Sequence, residues 1–197
     1  MSDTDPPPWS VVSSELVFTH PFVKLVEDRV ALPSGETESW IRYVDERDGL
    51  EPHRAAGALC QRDDGRFLVS RQWCLGPQRV VHELPGGGVA PGETLEQGLR
   101  RELQEEVGLY PHRLEHLGAV LADNRKSSMR IHIYLASQLE ERSLPGDASE
   151  VIAWEWLTED EIDHAIAAER FEHALLLAAW AMYKARRLHQ GASAAGA

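Results

Sequence analysis

Residues 85–109 constrain this chain more than any other stretch. The run Pro85-Gly-Gly-Gly-Val-Ala-Pro-Gly92 leads straight into a segment that ends in clustered acids. Leu95, Leu99, Leu103 and Val107 recur every four residues, which draws one apolar stripe along a helix and marks it as the buried side. Glu102, Glu105 and Glu106 stand at i, i+3 and i+4, so their carboxylates gather within one turn on a neighbouring face. Acids that close repel one another unless a cation lies among them, and hard divalent ions take oxygen ligands of this kind. The competing reading is a solvated, Glu-rich helix face. Two neighbours weigh against it. The loop Gly86-Gly87-Gly88 lets backbone approach a ligand closely, and Arg101 stands four residues before Glu105, in place for an i,i+4 pair. Gly108 supplies a left-handed C-cap where the acids stop.

This stretch resembles the box of the Nudix hydrolases, Gly-x5-Glu-x7-Arg-Glu-U-x-Glu-Glu-x-Gly-U with U aliphatic. Gly87, Glu93, Arg101, Glu102, Leu103, Glu105, Glu106, Gly108 and Leu109 fill it without a mismatch. The resemblance implies an α/β/α sandwich around a mixed sheet. It also implies hydrolysis of a nucleoside diphosphate linked to a further moiety, dependent on Mg²⁺ or Mn²⁺. Metal ligands are expected at Glu102, Glu105 and Glu106, with the Gly86 carbonyl as a further one.

A chain of 197 residues holds one domain, or one domain and a small appendage, and can bury a substantial core. A net charge of −12 argues against a nucleic-acid groove or an anionic membrane surface, since both call for clustered Lys and Arg. A phosphorylated substrate remains compatible, because metal ions bridge carboxylates to phosphates. Cys60 and Cys74 are too few for a disulfide framework and read as reduced thiols, Cys60 ending a strand and Cys74 in a loop. The N-terminus has no signal-peptide pattern and the longest apolar run, Ala174 to Met182, is too short to span a bilayer, so a cytoplasmic protein is expected.

Residues 1–10 read as a disordered arm, 11–50 as an N-terminal β-sheet, 51–190 as the catalytic domain and 191–197 as a frayed tail. Strands are expected at 15–20, 22–32 and 38–45, with a turn at Pro33-Ser34-Gly35. This small antiparallel sheet precedes the larger fold. Its open edges need covering, and the resemblance to enzymes acting on nucleotide sugars implies a homodimer through it. Further strands are expected at 55–60, 67–71, 80–84, 117–121, 130–136 and 151–157. Thr158-Glu-Asp-Glu161 forms a capping box opening a helix to about Ala168, and a second helix runs from about Phe171 to His189.

Hydrolysis of a pyrophosphate needs an activated water and neutralised phosphate charge. Glu102 and Glu106 lie in line along the helix and form the expected direct metal pair, with Glu105 bridging or behind them. Glu93 either reaches Arg101 or a metal-bound water, or is a simple N-terminal acid favoured by the helix dipole. By resemblance a general base is expected before the last strand, at Glu150, with Asp147 as the alternative. Arg71-Gln72-Trp73 and Glu83-Leu-Pro-Gly86 resemble elements of ADP-ribose pyrophosphatases, which assigns Arg71 to a phosphate or ribose of the substrate and Glu83 to the substrate or the metal site. Trp40 and Arg42 are candidates to stack and clamp a base, Phe22 more simply to pack, and Arg125 to meet phosphate. The chain departs from the ADP-ribose subgroup beyond the box, where it has Arg125 and Met129 in place of the usual proline and Glu. Two other readings stand beside the nucleotide-sugar one: a housecleaning nucleoside triphosphatase, and a non-catalytic ligand-sensing domain. The intact acids disfavour the sensor.

Overall fold

The computed structural model describes residues 8–20, 23–44, 54–146 and 151–195. Phe22, Asp147 and Glu150 lie outside them. The chain divides into two compact units, one of residues 1–52 with 123–129, the other of 53–122 with 130–197.

In the N-terminal unit, β1 (Ser10–His20), β2 (Val23–Ala31) and β3 (Thr37–Val44) form an antiparallel sheet in that order. Trp9, expected in a disordered arm, packs its ring on Trp40 with centroids 5.2 Å apart. Val26 and Val30 are buried, and buried Asp28 accepts from the Ser14 hydroxyl at 2.6 Å and from the Arg42 guanidinium. Arg42 thereby holds the Asp28 carboxyl below the ordinary carboxylate range. The 123–129 loop, expected within the catalytic domain, groups with this unit: the Tyr43 N–H donates to the Lys126 carbonyl at 2.6 Å.

The larger unit is a mixed sheet between helices. Its strands are β4 (Arg54–Gln61), β5 (Phe67–Cys74), β6 (Arg79–Glu83), β7 (Gly86–Gly88), β8 (Leu109–Leu121), β9 (Arg130–Glu141) and β10 (Ala153–Leu157). The order is β10-β5-β4-β9-β8, with β6 on β5 and β7 on β4; β4 and β9 run parallel. Alternation along β4 and β5 divides the core. Ala56, Ala58, Cys60 and Leu68 meet Leu99 and Leu103 of α1 (Leu95–Glu106) and its C-cap Val107 on one face. Phe67 turns to the other, edge-on to Trp180 and Tyr183 of α3 (Ala174–Ala195). Burial pushes the Cys60 thiol up to about 12, which keeps it protonated, and both cysteines are free. Between β10 and α3 lies α2 (Glu159–Ala167), opened by the expected capping box of Thr158 and Glu161. No described helix is long and apolar enough to cross a membrane.

Three expectations need correction. The glycine run is a strand, not a loop, pairing Gly86, Gly87 and Gly88 with Gly57, Ala56 and Ala55. Cys74 ends β5 instead of lying in a loop. The tail expected to fray from Gly191 is helical through Ala195.

Candidate active site

The site is built where β7 meets α1. Thr94 caps the helix: its hydroxyl accepts from the Gln97 N–H at 3.2 Å while the Gln97 side chain accepts from the Thr94 N–H at 2.8 Å. This capping box was written in the sequence as Thr-x-x-Gln and went unread. Glu93 therefore stands just outside the helix, where its carboxylate accepts from the Ala90 N–H at 2.8 Å and turns to Arg101. At the other end Val107 closes the helix and Gly108, at φ +69°, carries the chain into β8 in the left-handed conformation expected of it.

Arg101 is the cation among the acids. Its Nε donates to Glu93 Oε1 at 3.0 Å and its Nη2 to Glu93 Oε2 at 3.1 Å. Nη1 donates to Glu102 and Glu105, each at 2.9 Å, and Nη2 also reaches the Gly88 carbonyl at 3.0 Å. The guanidinium fork thus holds three carboxylates and the end of β7 in one arrangement. Its hydrogen bonds draw the Glu93 carboxyl below its usual range, and Glu93 first, then Glu102 and Glu105, push the Arg101 pKa up.

Glu106 accepts from the Gly86 N–H at 2.8 Å. Gly86 sits at φ +137°, and a Cβ there would lie 2.2 Å from the Ala56 carbonyl oxygen, so only glycine fits. At Gly87 a Cβ would come within 2.7 Å of the Glu102 carboxylate. A close cradle of backbone and acids results.

The donors are all oxygen: three helix carboxylates and the glycine strand's backbone. Arg101 meets three carboxylates, Glu93, Glu102 and Glu105, while Glu106 holds the Gly86 N–H, and such an oxygen set suits Mg²⁺ or Mn²⁺. Among the described residues no three His, Cys, Asp or Glu side chains converge as a preformed metal site. Glu102 and Glu105 lean on Arg101, so a cation has to share them with it.

Beside the C-terminal turn of α1 opens a cavity of about 600 Å³, lined by Glu105, Glu106, Gly108, Arg62, Trp154 and Trp156 among others. The Arg62 guanidinium stands 5.0 Å from the Trp156 ring centre. Sequence reasoning missed the two tryptophans; their i, i+2 spacing on a strand was the signal available.

The remaining expected residues lie outside the Arg101 network. Ser70 lies opposite Glu83 in the β5–β6 pair and Arg71 opposite His82, so Glu83 and Arg71 project from opposite faces of that ribbon. Glu83 accepts from Gln72 Nε2 at 2.9 Å, and Arg71 is exposed. Trp40, Arg42 and exposed Arg125 belong to the N-terminal unit. The indole N–H of Trp40 is buried without a hydrogen-bond partner among the described residues.

The NUDIX domain family matches residues 51–179. An ADP-ribose pyrophosphatase of Bacillus subtilis (strain 168) is 26% identical over 140 residues, 69% of this chain and 72% of that protein. A methanol dehydrogenase activator of Bacillus methanolicus is 26% identical over 161 residues, 81% of this chain and 83% of its own. The crystal structure of an ADP compounds hydrolase superposes with a TM-score of 0.82 at 19% identity, covering 96% of this chain and 99% of the other.

Proposed function

The chain belongs to the NUDIX domain family and is a Nudix hydrolase; from that premise we propose that it splits nucleoside diphosphate sugars, ADP-ribose first, with Mg²⁺ or Mn²⁺. Water attacks one phosphorus of the pyrophosphate, the anhydride P–O bond breaks, and a nucleoside monophosphate and a sugar phosphate leave. The observation that carries the reading is the Arg101 network, which gathers Glu93, Glu102 and Glu105 beside the Gly86–Glu106 contact.

Glu102, Glu105, Glu106 and the Gly86 carbonyl would hold the metal. When bound, the ion neutralises phosphate charge and acidifies a ligated water. Arg101 orients Glu102 and Glu105, and Glu93 fixes Arg101 through both of its carboxylate oxygens. Glu150 is assigned as general base from its position before the last strand. Glu83, Arg71, Arg125, Trp40 and Arg42 remain assigned to substrate on the resemblance alone.

The sugar-nucleotide assignment draws on the Bacillus subtilis relative and on the additional N-terminal sheet. That sheet supports a homodimer. Phe18, Leu25 and Tyr43 stand in register across it, and Phe18, Tyr43 and Ile41 are exposed. A cytoplasmic location completes the proposal.

The test is turnover of a panel by wild type and Glu106→Gln with Mg²⁺ and with Mn²⁺: ADP-ribose, GDP-mannose, UDP-glucose, diadenosine polyphosphates and nucleoside triphosphates. Turnover of nucleotide sugars that the substitution abolishes is expected. Turnover confined to triphosphates overturns the sugar assignment, and silence across the panel favours a ligand sensor.

A further inference from the structure

The three residues that deliver the chain into the glycine strand are each pinned by a different element. The Leu84 N–H donates to His173 Nδ1 at 3.2 Å, the Pro85 carbonyl accepts from the Ala58 N–H at 3.0 Å, and the Gly86 N–H donates to Glu106 at 2.8 Å. The first of these anchors comes from far along the chain. His173 immediately precedes α3, and its carbonyl accepts the Leu177 N–H at 3.1 Å, so its backbone is fixed to the start of that helix.

An imidazole nitrogen that accepts from an amide carries no proton, which puts the proton of the neutral ring on Nε2. That nitrogen lies 4.0 Å from Glu83 Oε1. A movement of about 1 Å would close the gap to hydrogen-bond length. The other carboxylate oxygen, Oε2, is already held by Gln72. Burial lowers the His173 pKa, in keeping with a ring that stays neutral. Leu84 itself is buried, and its side chain fills the space beside Gly57 so closely that a Cβ there would lie 2.8 Å from it.

We propose that His173 is a positioning residue of the active site: its Nδ1 fixes the Leu84 amide ahead of Gly86, and its Nε2–H orients the Glu83 carboxylate for the substrate. The second half of this assignment rests on the nucleotide-sugar reading given above; the first stands on the hydrogen bond alone. His173 touches neither substrate nor metal. It acts through these two neighbours, Leu84 and Glu83.

Three full-length variants separate this role from simple packing. His173→Ala removes both contacts, His173→Asn restores an acceptor near the place of Nδ1, and His173→Gln restores a donor near the place of Nε2. With ADP-ribose and Mg²⁺, His173→Ala is expected to raise KM about tenfold with kcat within about twofold, the scale of the charge-assisted hydrogen bond that Nε2–H makes to Glu83 once the gap closes. His173→Asn should leave KM high, and His173→Gln should bring it back toward wild type. Amide hydrogen exchange at Leu84 should accelerate in the Ala and Gln variants and return to the wild-type rate in the Asn variant. In wild type, ¹⁵N correlation through the ring should show the Nε2–H tautomer.

An Nδ1–H tautomer, or Leu84 exchange that ignores the Ala substitution, overturns the Leu84 anchor. Equal KM values across wild type and all folded variants overturn the Glu83 role. Should the Ala variant not fold, the Asn and Gln pair and the wild-type tautomer still decide both. If wild type turns over no nucleotide sugar, the nucleotide-sugar reading and the Glu83 half that rests on it fail together, while tautomer and exchange continue to test the anchor.

Discussion

Arg101 and Glu93 set the acids' geometry at the residue scale. Arg101 reaches three carboxylates, and Glu93 meets it with both oxygens. The Glu93 pKa is lowered in the folded chain, chiefly by that guanidinium. A carboxyl with a depressed folded value stabilises fully above its unfolded value, near 4.3, and loses that contribution as pH falls through the folded one. The Tm of wild type minus that of Glu93→Gln should therefore be constant between about pH 6 and 8 and shrink below about pH 4. A gap that widens on acidification would contradict the pairing. The Arg101–Glu105 contact was readable from i,i+4 spacing, and Glu93 reaching Arg101 was one of two readings open for it. His173 was not readable, because the turn that brings it to Leu84 is separated from β6 by most of the fold, and no local period encodes such a meeting.

Elements whose own residues determine them were readable; those made by pairing were less so. The stripe of α1, the Gly108 cap and the Thr158 capping box depend on neighbours within a turn, and the structure has them. The triglycine run has no strand propensity, and it becomes β7 only because β4 supplies a partner for its backbone. The strands β8 and β9 extend well beyond their apolar centres, since pairing with each other carries them through Pro111, His112 and Glu140, where His112 meets Glu140 at 2.9 Å. Beyond Gly191 the small residues continue α3, against a glycine cost of about 1 kcal/mol. The cradle made by β7 and α1 carries its own prediction. Gly87→Ala places a methyl within 2.7 Å of the Glu102 carboxylate, at a backbone position that alanine tolerates. It should weaken Mn²⁺ binding and lower kcat/KM by about tenfold or more, with Tm within a few degrees of wild type, as titration calorimetry and kinetics would record. Unchanged metal affinity would separate Glu102 from the metal.

At the scale of the whole molecule the chain is an enzyme fold with an added sheet. The apolar patch of Phe18, Ile41 and Tyr43 is expected to lie between two copies of the chain. Light scattering should give twice the 22.0 kDa chain mass for wild type, and the Phe18→Glu, Ile41→Glu double variant should run as a monomer that keeps its circular dichroism. A wild-type monomer would assign the patch to something else. The central claim concerns chemistry, and it is tested most directly by following ADP-ribose with Mg²⁺ in wild type and Glu106→Gln, with products identified. The account predicts AMP and ribose 5-phosphate from wild type and a loss of kcat of at least about a hundredfold in the variant. Full activity in Glu106→Gln would contradict the role given to the helix acids, and no cleavage of ADP-ribose or any other nucleotide sugar by wild type would contradict the proposed reaction.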